Sequence, residues 1–202
     1  MIKALLLDAD GIVIQGRKRY FSDIIAEEKG LDVADVLKFF QNEYKKCVVG
    51  QAELKDEVAK YLTAWKWDKS VDELLGYWFS CDGNPSEEVL DLVKQLRNSG
   101  LRVYIASDHT KYRAEDIMKR LKMEEYFDGS FFSCNTGYTK KEIGFYTYVK
   151  DKLGLLPSEI MFWDDEKEKV EVGKQAGVVG IVYENFEMFK ETLKNTFYSD
   201  AI

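Results

Sequence analysis

Two aspartates, Asp8 and Asp10, stand two residues apart directly after an apolar run at residues 4–7. Carboxylates held this close repel each other, and each loses hydration when it is crowded into a cleft. A chain keeps such a pair when a cation lies between them, or when one carboxylate attacks while the other moves protons. Alternatively, Asp10 and Gly11 simply form a turn after the strand and have no chemical role. The pair alone leaves both interpretations open.

Further polar residues follow two later predicted strands and precede a predicted helix. They are Ser107, Asp108 and His109, then Asp164 and Asp165, and finally Lys140 and Lys141. Ligands bind beyond the carboxyl ends of the strands in an open parallel sheet, so these side chains are expected to meet. Several carboxylates on one edge require a hard cation such as Mg²⁺, and a free carboxylate can act as a nucleophile. Attack on an anion needs neutralising metal, lysine and hydroxyl groups, so a phosphate is the substrate that fits.

Two kinds of sequence pattern position these residues. Residues 20–79 have apolar residues at helical spacing, with helices predicted over residues 33–47, 53–65 and 71–79. From residue 81 onward strands and helices alternate. Strands are predicted at residues 101–106, 130–133, 160–163 and 177–182, and helices at residues 84–98, 111–121, 143–153, 167–176 and 186–195. The 84–98 helix is expected to start with Asn84 as its cap and Pro85 in its first turn.

Alternating strands and helices predict parallel strands joined by right-handed crossovers. The apolar run at residues 4–7 must join that sheet, because alone it could not be buried. The predicted fold class is therefore α/β, a doubly wound, Rossmann-like parallel sheet with an inserted all-helical cap. Residues 1–15 and 81–202 are predicted to form the catalytic core and residues 16–80 the cap domain, with hinges near Gly16 and residues 81–83.

Composition narrows the function classes. The chain has 202 residues, 46% hydrophobic, and a net charge of −7, which argues against a duplex nucleic acid partner. It has no signal-peptide pattern, and no apolar run approaches the ~20 residues that span a bilayer, so no membrane partner is expected. Cys47, Cys81 and Cys134 form no C-x-x-C pair, which is typical of reduced thiols in a cytoplasmic protein. The composition leaves the oligomeric state open.

Four segments in order resemble the signature segments of the haloacid dehalogenase (HAD) superfamily. They are Leu-Asp-Ala-Asp-Gly at residues 7–11, Ile-Ala-Ser-Asp at 105–108, Gly-Tyr-Thr-Lys at 137–140 and Phe-Trp-Asp-Asp at 162–165, the last leading to Gln-Ala-Gly at 175–177. The helical insert after the first segment resembles that superfamily's cap of the first type. The resemblance implies a Mg²⁺-dependent phosphatase or a phosphomutase.

The resemblance also implies residue roles. Asp8 would attack phosphorus and form an aspartyl-phosphate, and Asp10 would protonate the leaving oxygen and then deprotonate the attacking water. Ser107, Asp108 and Lys140 would bind the substrate, with Ser107 and Lys140 also catalytic. Asp10 favours phosphoryl chemistry, because dehalogenating members generally have no carboxylate there.

The implied Mg²⁺ ligands are Asp8, the backbone carbonyl of Asp10, and Asp165, with Asp164 as an outer or additional ligand. Three residues depart from the superfamily pattern. Asp108 stands where Asn is frequent, Lys141 where Pro commonly follows the lysine, and Lys169 where Asn or Asp is usual. A cation at residue 169 could weaken metal binding, or it could turn outward or pair with Asp164.

The leading hypothesis is a Mg²⁺-dependent phosphatase that hydrolyses a small phosphorylated metabolite. The alternatives are a phosphomutase acting on a sugar phosphate, or a catalytically weak binding or regulatory protein on the same fold. His109 is expected to be exposed or hydrogen-bonded near the cleft mouth. Residues 17–20, Arg-Lys-Arg-Tyr, either are solvated or reach an anionic group of the substrate. The tryptophans, tyrosine and phenylalanine of residues 65–79 either pack internally or face the substrate.

Overall fold

The computed structural model describes residues 1–197, which contain seven strands and eleven α-helices. The strands are β1 Ala4–Leu7, β2 Ile14–Gln15, β3 Asn84–Pro85, β4 Arg102–Ser107, β5 Gly129–Phe132, β6 Ile160–Asp164 and β7 Val179–Val182. The helices are α1 Phe21–Lys29, α2 Val33–Gln41, α3 Glu43–Val48, α4 Leu54–Ala59, α5 Val71–Ser80, α6 Glu87–Asn98, α7 Lys111–Glu115, α8 Ser133–Thr136, α9 Ile143–Leu153, α10 Lys167–Gln175 and α11 Phe186–Phe197. Residues 198–202, which belong to the predicted core, lie outside the described residues.

The central sheet has five parallel strands in the order β5-β4-β1-β6-β7. Strand β1 is fully buried, with Leu5 and Leu7 in the hydrophobic cluster on one face and Leu6 in the cluster on the other. This confirms the predicted α/β, Rossmann-like core. Because β1 lies between β4 and β6, the residues that follow these three strands are adjacent.

Helices α1–α5 form a block between β2 and β3 with its own hydrophobic core. Phe39 and Trp65, 0% and 2% exposed, meet edge to face with ring centroids 5.4 Å apart. Trp78 stacks on Phe21 at 5.2 Å. The aromatic residues of this segment therefore mostly pack against each other.

The prediction that a helix begins at Asn84 was wrong. Asn84 and Pro85 instead form β3, which pairs antiparallel with β2, and helix α6 begins at Glu87 with Ser86 as its cap. Proline can occupy this position because the two-residue ladder is short, and the next backbone N–H, from Ser86, donates to Val13 O at 2.8 Å. The local capping pattern was overridden by pairing with a segment 70 residues away in the chain.

Several other boundaries differ from the predictions. The helix expected over residues 33–47 is interrupted at Asn42, whose backbone is not helical, and becomes α2 and α3. The one expected over residues 53–65 ends at Ala59, and residues 60–66 form turns. The helix expected over residues 111–121 is α7 followed by a π-helical turn, Asp116–Arg120. The strand expected to end at Ser133 stops at Phe132, and α8 follows at once.

None of the helices in residues 1–197 is both long and apolar enough to cross a membrane. The three cysteines are free thiols, with Cys47 buried and the other two partly exposed.

Candidate active site

Asp8 follows the central strand β1 and is 3% exposed. One of its carboxylate oxygens, Oδ1, accepts hydrogen bonds from the Ala9 backbone N–H at 2.7 Å and the Ser107 hydroxyl at 2.6 Å. The Lys140 ammonium lies 2.6 Å from the same oxygen. Among the described residues no donor is hydrogen-bonded to Oδ2, and Asp8 lines the cleft. One oxygen is therefore fixed and the other is available for chemistry.

Lys140 holds two carboxylates together. Its ammonium, 0% exposed, lies 2.6 Å from Asp8 and 2.6 Å from Asp164 Oδ2, which is also fully buried. Burial would raise the pKa of Asp8, but the charges of Lys140 and Lys169 and the hydrogen bonds outweigh it and lower that pKa. For Asp164, burial and the charge of Asp8 raise the pKa to about 7. The two carboxyl groups therefore differ. Asp8 is held ionised, whereas the raised pKa of Asp164 favours its protonated form.

Asp165 completes a group of three carboxylates. Oxygens of Asp8, Asp164 and Asp165 lie within 4.8 Å of one another, close enough to share one cation. Burial and the charge of Asp8 raise the pKa of Asp165. Glycine is required at residue 11, since its φ is +83° and a Cβ there would collide with the Asp165 carboxylate. The turn after β1 is thus shaped to let Asp165 approach.

Lys169 lies beside this group but pairs elsewhere. Its ammonium is 2.8 Å from Glu166 Oε1 and 3.7 Å from Asp108 Oδ2. Burial opposes its charge, but the surrounding carboxylates, first Asp8, raise the pKa of Lys169. The expected alternatives of outward rotation or pairing with Asp164 are not what the structure shows. Lys169 is 8% exposed and adds positive charge next to the three carboxylates.

Asp108 supports the site from a different direction. Its Oδ1 accepts a hydrogen bond from the Lys140 backbone N–H at 2.9 Å, and burial raises the pKa of Asp108. The carboxylate therefore anchors the loop that presents Lys140. Asp108 lies at the cleft surface together with Ser107, as the sequence predicted.

Asp10 lies apart from the three-carboxylate group, and its surroundings are cationic. Arg17 donates to Asp10 Oδ2, and Arg113 Nη2 and His109 Nε2 lie 4.0 and 3.9 Å from Oδ1. His109 is buried, and its Nε2 has no hydrogen-bond partner among the described residues. The expectation of an exposed or satisfied histidine was wrong. Burial lowers the pKa of His109 to about 4, so the ring is neutral at pH 7.

These residues open into a cleft of about 1610 Å³ between the sheet and the helical block. The core contributes polar residues to its lining, among them Asp8, Asp10, Ser107, Asp108, Asp165 and Lys169. The helical block contributes mainly apolar ones, among them Phe21, Leu37, Phe40, Tyr44 and Trp78. A ligand in the cleft would therefore meet a charged floor and a largely aromatic wall.

Sequence reasoning missed two site residues, Asp82 and Arg113. Arg113 is 2% exposed, and its guanidinium lies 3.3 Å from Asp82 and 2.6 Å from Asp116. Asp82 lies within the predicted hinge at residues 81–83, and Arg113 lies on α7. No local sequence pattern marked either residue, because Arg113 shares its helical face with charged Asp116 as well as with Ile117.

A family model described as haloacid dehalogenase-like hydrolase matches residues 2–177. A phosphorylated carbohydrates phosphatase of Thermotoga maritima is 24% identical over 187 residues, which cover 88% of this chain and 82% of that protein. An enolase-phosphatase of Aquifex aeolicus is 24% identical over 204 residues, covering 88% of each chain.

Solved structures share the fold. A HAD family enzyme from Bacteroides thetaiotaomicron, solved in complex with magnesium and inorganic phosphate, superposes with a TM-score of 0.77 at 20% identity. The superposition covers 94% of this chain and 99% of that one. An L-2-haloacid dehalogenase from Xanthobacter autotrophicus gives a TM-score of 0.62 at 16% identity, covering 88% and 76%.

Proposed function

The chain belongs to the haloacid dehalogenase-like hydrolases, and from that premise we propose that it is a Mg²⁺-dependent phosphatase of small phosphorylated metabolites. The observation that carries the proposal is the asymmetry of Asp8. Its Oδ1 is bound by Ala9, Ser107 and Lys140, while its Oδ2 accepts no hydrogen bond from the described residues. A carboxylate fixed in this way is oriented for attack.

In the first step, an oxygen of Asp8 attacks phosphorus, and the bond between phosphorus and the leaving oxygen breaks. Asp10 gives its proton to that oxygen, so an alcohol leaves and an aspartyl-phosphate remains. Ser107 and Lys140 lie at hydrogen-bond distance from the nucleophile, where they would stabilise the charge on the transferring group. In the second step, Asp10 takes a proton from a water molecule whose oxygen attacks phosphorus. The bond between phosphorus and Asp8 breaks, which releases inorganic phosphate and restores the Asp8 carboxylate.

The carboxylates fit Mg²⁺. Asp8, Asp164 and Asp165 offer three hard oxygen ligands within 4.8 Å of one another, and Mg²⁺ favours such ligands while retaining waters. Mg²⁺ would supply positive charge for the phosphoryl oxygens and relieve the repulsion that raises the pKa of Asp164 and Asp165. Lys140 contacts Asp8 Oδ1 and Asp164 Oδ2, while Lys169 contacts Glu166 and Asp108. Asp8 Oδ2 and the Asp165 carboxylate have no ammonium contact among the described residues, so these oxygens would be the ones offered to the metal.

We assign residues 16–80 as a cap domain over the core of residues 1–15 and 81–202. The supporting observation is the separate hydrophobic core of helices α1–α5 and their position along one wall of the cleft. Such a cap would exclude water from the reaction and contact the leaving group. Dehalogenation is disfavoured because Asp10 supplies a proton that a halide leaving group would not need.

The experiment is a screen of phosphorylated metabolites, sugar phosphates first, for phosphate release with Mg²⁺. The Thermotoga maritima relative motivates that order. We expect Asp8→Asn to abolish turnover and Asp151→Asn, which changes an exposed carboxylate paired with Lys150, to leave it unchanged. Mass spectrometry of Asp10→Asn after substrate addition should show one added phosphoryl group on Asp8. Unchanged turnover in Asp8→Asn would overturn the proposal, and an isomerised sugar phosphate without phosphate release would indicate the mutase instead.

A further inference from the structure

Asp10 and three neighbouring side chains form a closed ring of alternating charge. Arg17 contacts Asp10 and also lies 3.4 Å from Asp82, while Arg113 lies 3.3 Å from Asp82 and 4.0 Å from Asp10. Each arginine thus faces both aspartates, and each aspartate faces both arginines. Arg113 is tied further to Asp116 at 2.6 Å, which anchors the ring to the core.

The ring joins three parts of the chain. Arg17 lies in the first connection to the helical block and Asp82 in the second, whereas Arg113 lies on α7 of the core. The two connections also touch through their backbones, since a Cβ on Gly83 would collide with the Gln15 carbonyl. The ring therefore exists only when both connections hold the arrangement seen here.

Because the ring is largely buried, its charges favour one arrangement of the groups that it joins. Arg113 is 2% exposed and the Asp82 side chain 13%, so each charge is compensated mainly by its partners in the ring rather than by bulk water. Buried ion pairs of this kind are weak evidence for stability, but they can specify one arrangement of the groups that they join. The Asp10 oxygen nearest Arg113, Oδ1, is buried and accepts no hydrogen bond from the described residues, so its position depends on the charges of the ring.

We propose that Arg113 and Asp82 are positioning residues for Asp10 when the two connections are in this arrangement. Asp82 holds Arg17, which contacts Asp10 Oδ2, and Arg113 holds Asp82 and faces Asp10 Oδ1. The proposal rests on the proposed phosphatase function, because it concerns the proton that Asp10 gives to the leaving oxygen. Neither residue is assigned a bond or a proton in the reaction, so both act through Asp10. Their effect depends on Asp10 lying within proton-transfer distance of the leaving oxygen, where a misplacement of about 1 Å can cost on the order of 10²-fold in rate.

The test compares two aryl phosphates with the complete protein and Mg²⁺. 4-Nitrophenyl phosphate releases a weakly basic phenolate that needs little protonation, whereas phenyl phosphate releases a strongly basic one. The quantity measured is kcat/KM, which reports the step in which the leaving group departs. In Asp82→Asn and Arg113→Lys we expect kcat/KM for phenyl phosphate to fall about 10²-fold and that for 4-nitrophenyl phosphate less than about threefold.

Arg17→Gln serves as a second variant, because Arg17 is more exposed and its replacement leaves no bare charge deep in the protein. Arg97→Gln is the matched control, since it removes another partly exposed arginine. Arg97 pairs with Asp128 at 2.8 Å and has no contact with Asp10. The control should leave both substrates unaffected. If all three ring variants lower kcat/KM equally for both esters, the positioning role is overturned and the ring is structural.

The two proposals fail in different ways. A wild-type protein with no Asp8-dependent hydrolysis of either ester overturns the proposed function and, with it, the positioning role. A wild-type protein that is active through Asp8, combined with ring variants that lack the leaving-group effect, overturns the positioning role alone. Thermal unfolding shows whether each variant is folded. If Asp82→Asn or Arg113→Lys does not fold, the comparison of the two esters with Arg17→Gln decides whether the ring positions Asp10.

Discussion

The Lys140 ammonium lies 2.6 Å from Asp8 Oδ1 with none of its surface exposed. Because the same ammonium is equally close to Asp164, it is the main compensation for two buried carboxylates. Desolvating a lysine this completely is tolerated only when opposite charges surround it. The stability of the core and the chemistry of the site therefore depend on the same side chain.

Replacing Lys140 by Met should abolish phosphate release and lower the free energy of unfolding by about 3–5 kcal/mol in the absence of metal. The loss should be larger at pH 8 than at pH 6, because the pKa of Asp164 near 7 allows it to take up a proton at the lower pH. Chemical denaturation at the two pH values measures this difference.

The control for Lys140 is its neighbour. Lys141 is half exposed and pairs with Glu168 on the surface, so Lys141→Met should change the free energy of unfolding by less than about 1 kcal/mol. Equal destabilisation by the two substitutions would contradict the assigned role of Lys140.

Asp165→Asn should weaken Mg²⁺ binding by about 10–100-fold, because it removes one charge from the three-carboxylate group and leaves the fold intact. Isothermal titration with Mg²⁺ measures the affinity directly, and chelation of the metal from the wild-type protein should abolish turnover. Glu168→Gln, an exposed carboxylate on the next helix that pairs with Lys141, should bind Mg²⁺ normally. Identical affinities in the two variants would exclude Asp165 as a ligand.

The floor of the site could be predicted from the sequence because sheet geometry determines it. Asp8, Ser107 and Asp164 each end or follow a strand, and parallel strands bring such ends together regardless of their separation in the chain. Lys140 was expected at the same edge because it precedes the predicted helix at residues 143–153, but its role was implied only by the resemblance. The burial of β1 on both faces could also be predicted, from its apolar run.

The ring around Asp10 could not be predicted in the same way. It requires Asp82 and Arg113 to meet, and their meeting depends on how the helical block is joined to the core rather than on any local pattern. The pairing of β2 with β3, two residues each, is likewise too short to produce a periodic signal. The helix expected to start at Asn84 was wrong for this reason.

His109 provides a pH prediction that one signal can test, because it is the single histidine of the chain. Its ring resonance in proton NMR should titrate with a midpoint near pH 4 rather than the ordinary 6.5, since burial lowers the pKa of His109 to about 4. Between these values the unfolded chain binds the proton and the folded one does not. The buried carboxyls of Asp82 and Asp164, whose pKa values are raised to about 6 and about 7, contribute the opposite pH dependence. His109 by itself should lower the stability of the folded state as the pH falls from 6.5 toward 4, by on the order of 3 kcal/mol. His109→Gln should remove that slope, and a midpoint near 6.5 would show that the ring is solvated.

Gly11→Ala should weaken Mg²⁺ binding as well as destabilise the fold, because the added Cβ would displace the Asp165 carboxylate. Gly100→Ala is the matched comparison: its φ of +91° imposes similar backbone strain, but a Cβ there has nothing within 4 Å. Both substitutions should lower the free energy of unfolding by about 1–2 kcal/mol through that strain. Only Gly11→Ala should also change the Mg²⁺ affinity, which titration of the two purified variants measures. Equal Mg²⁺ affinities in the two variants would show that Asp165 can move aside without weakening metal binding. Gly11 would then be needed only for its backbone conformation.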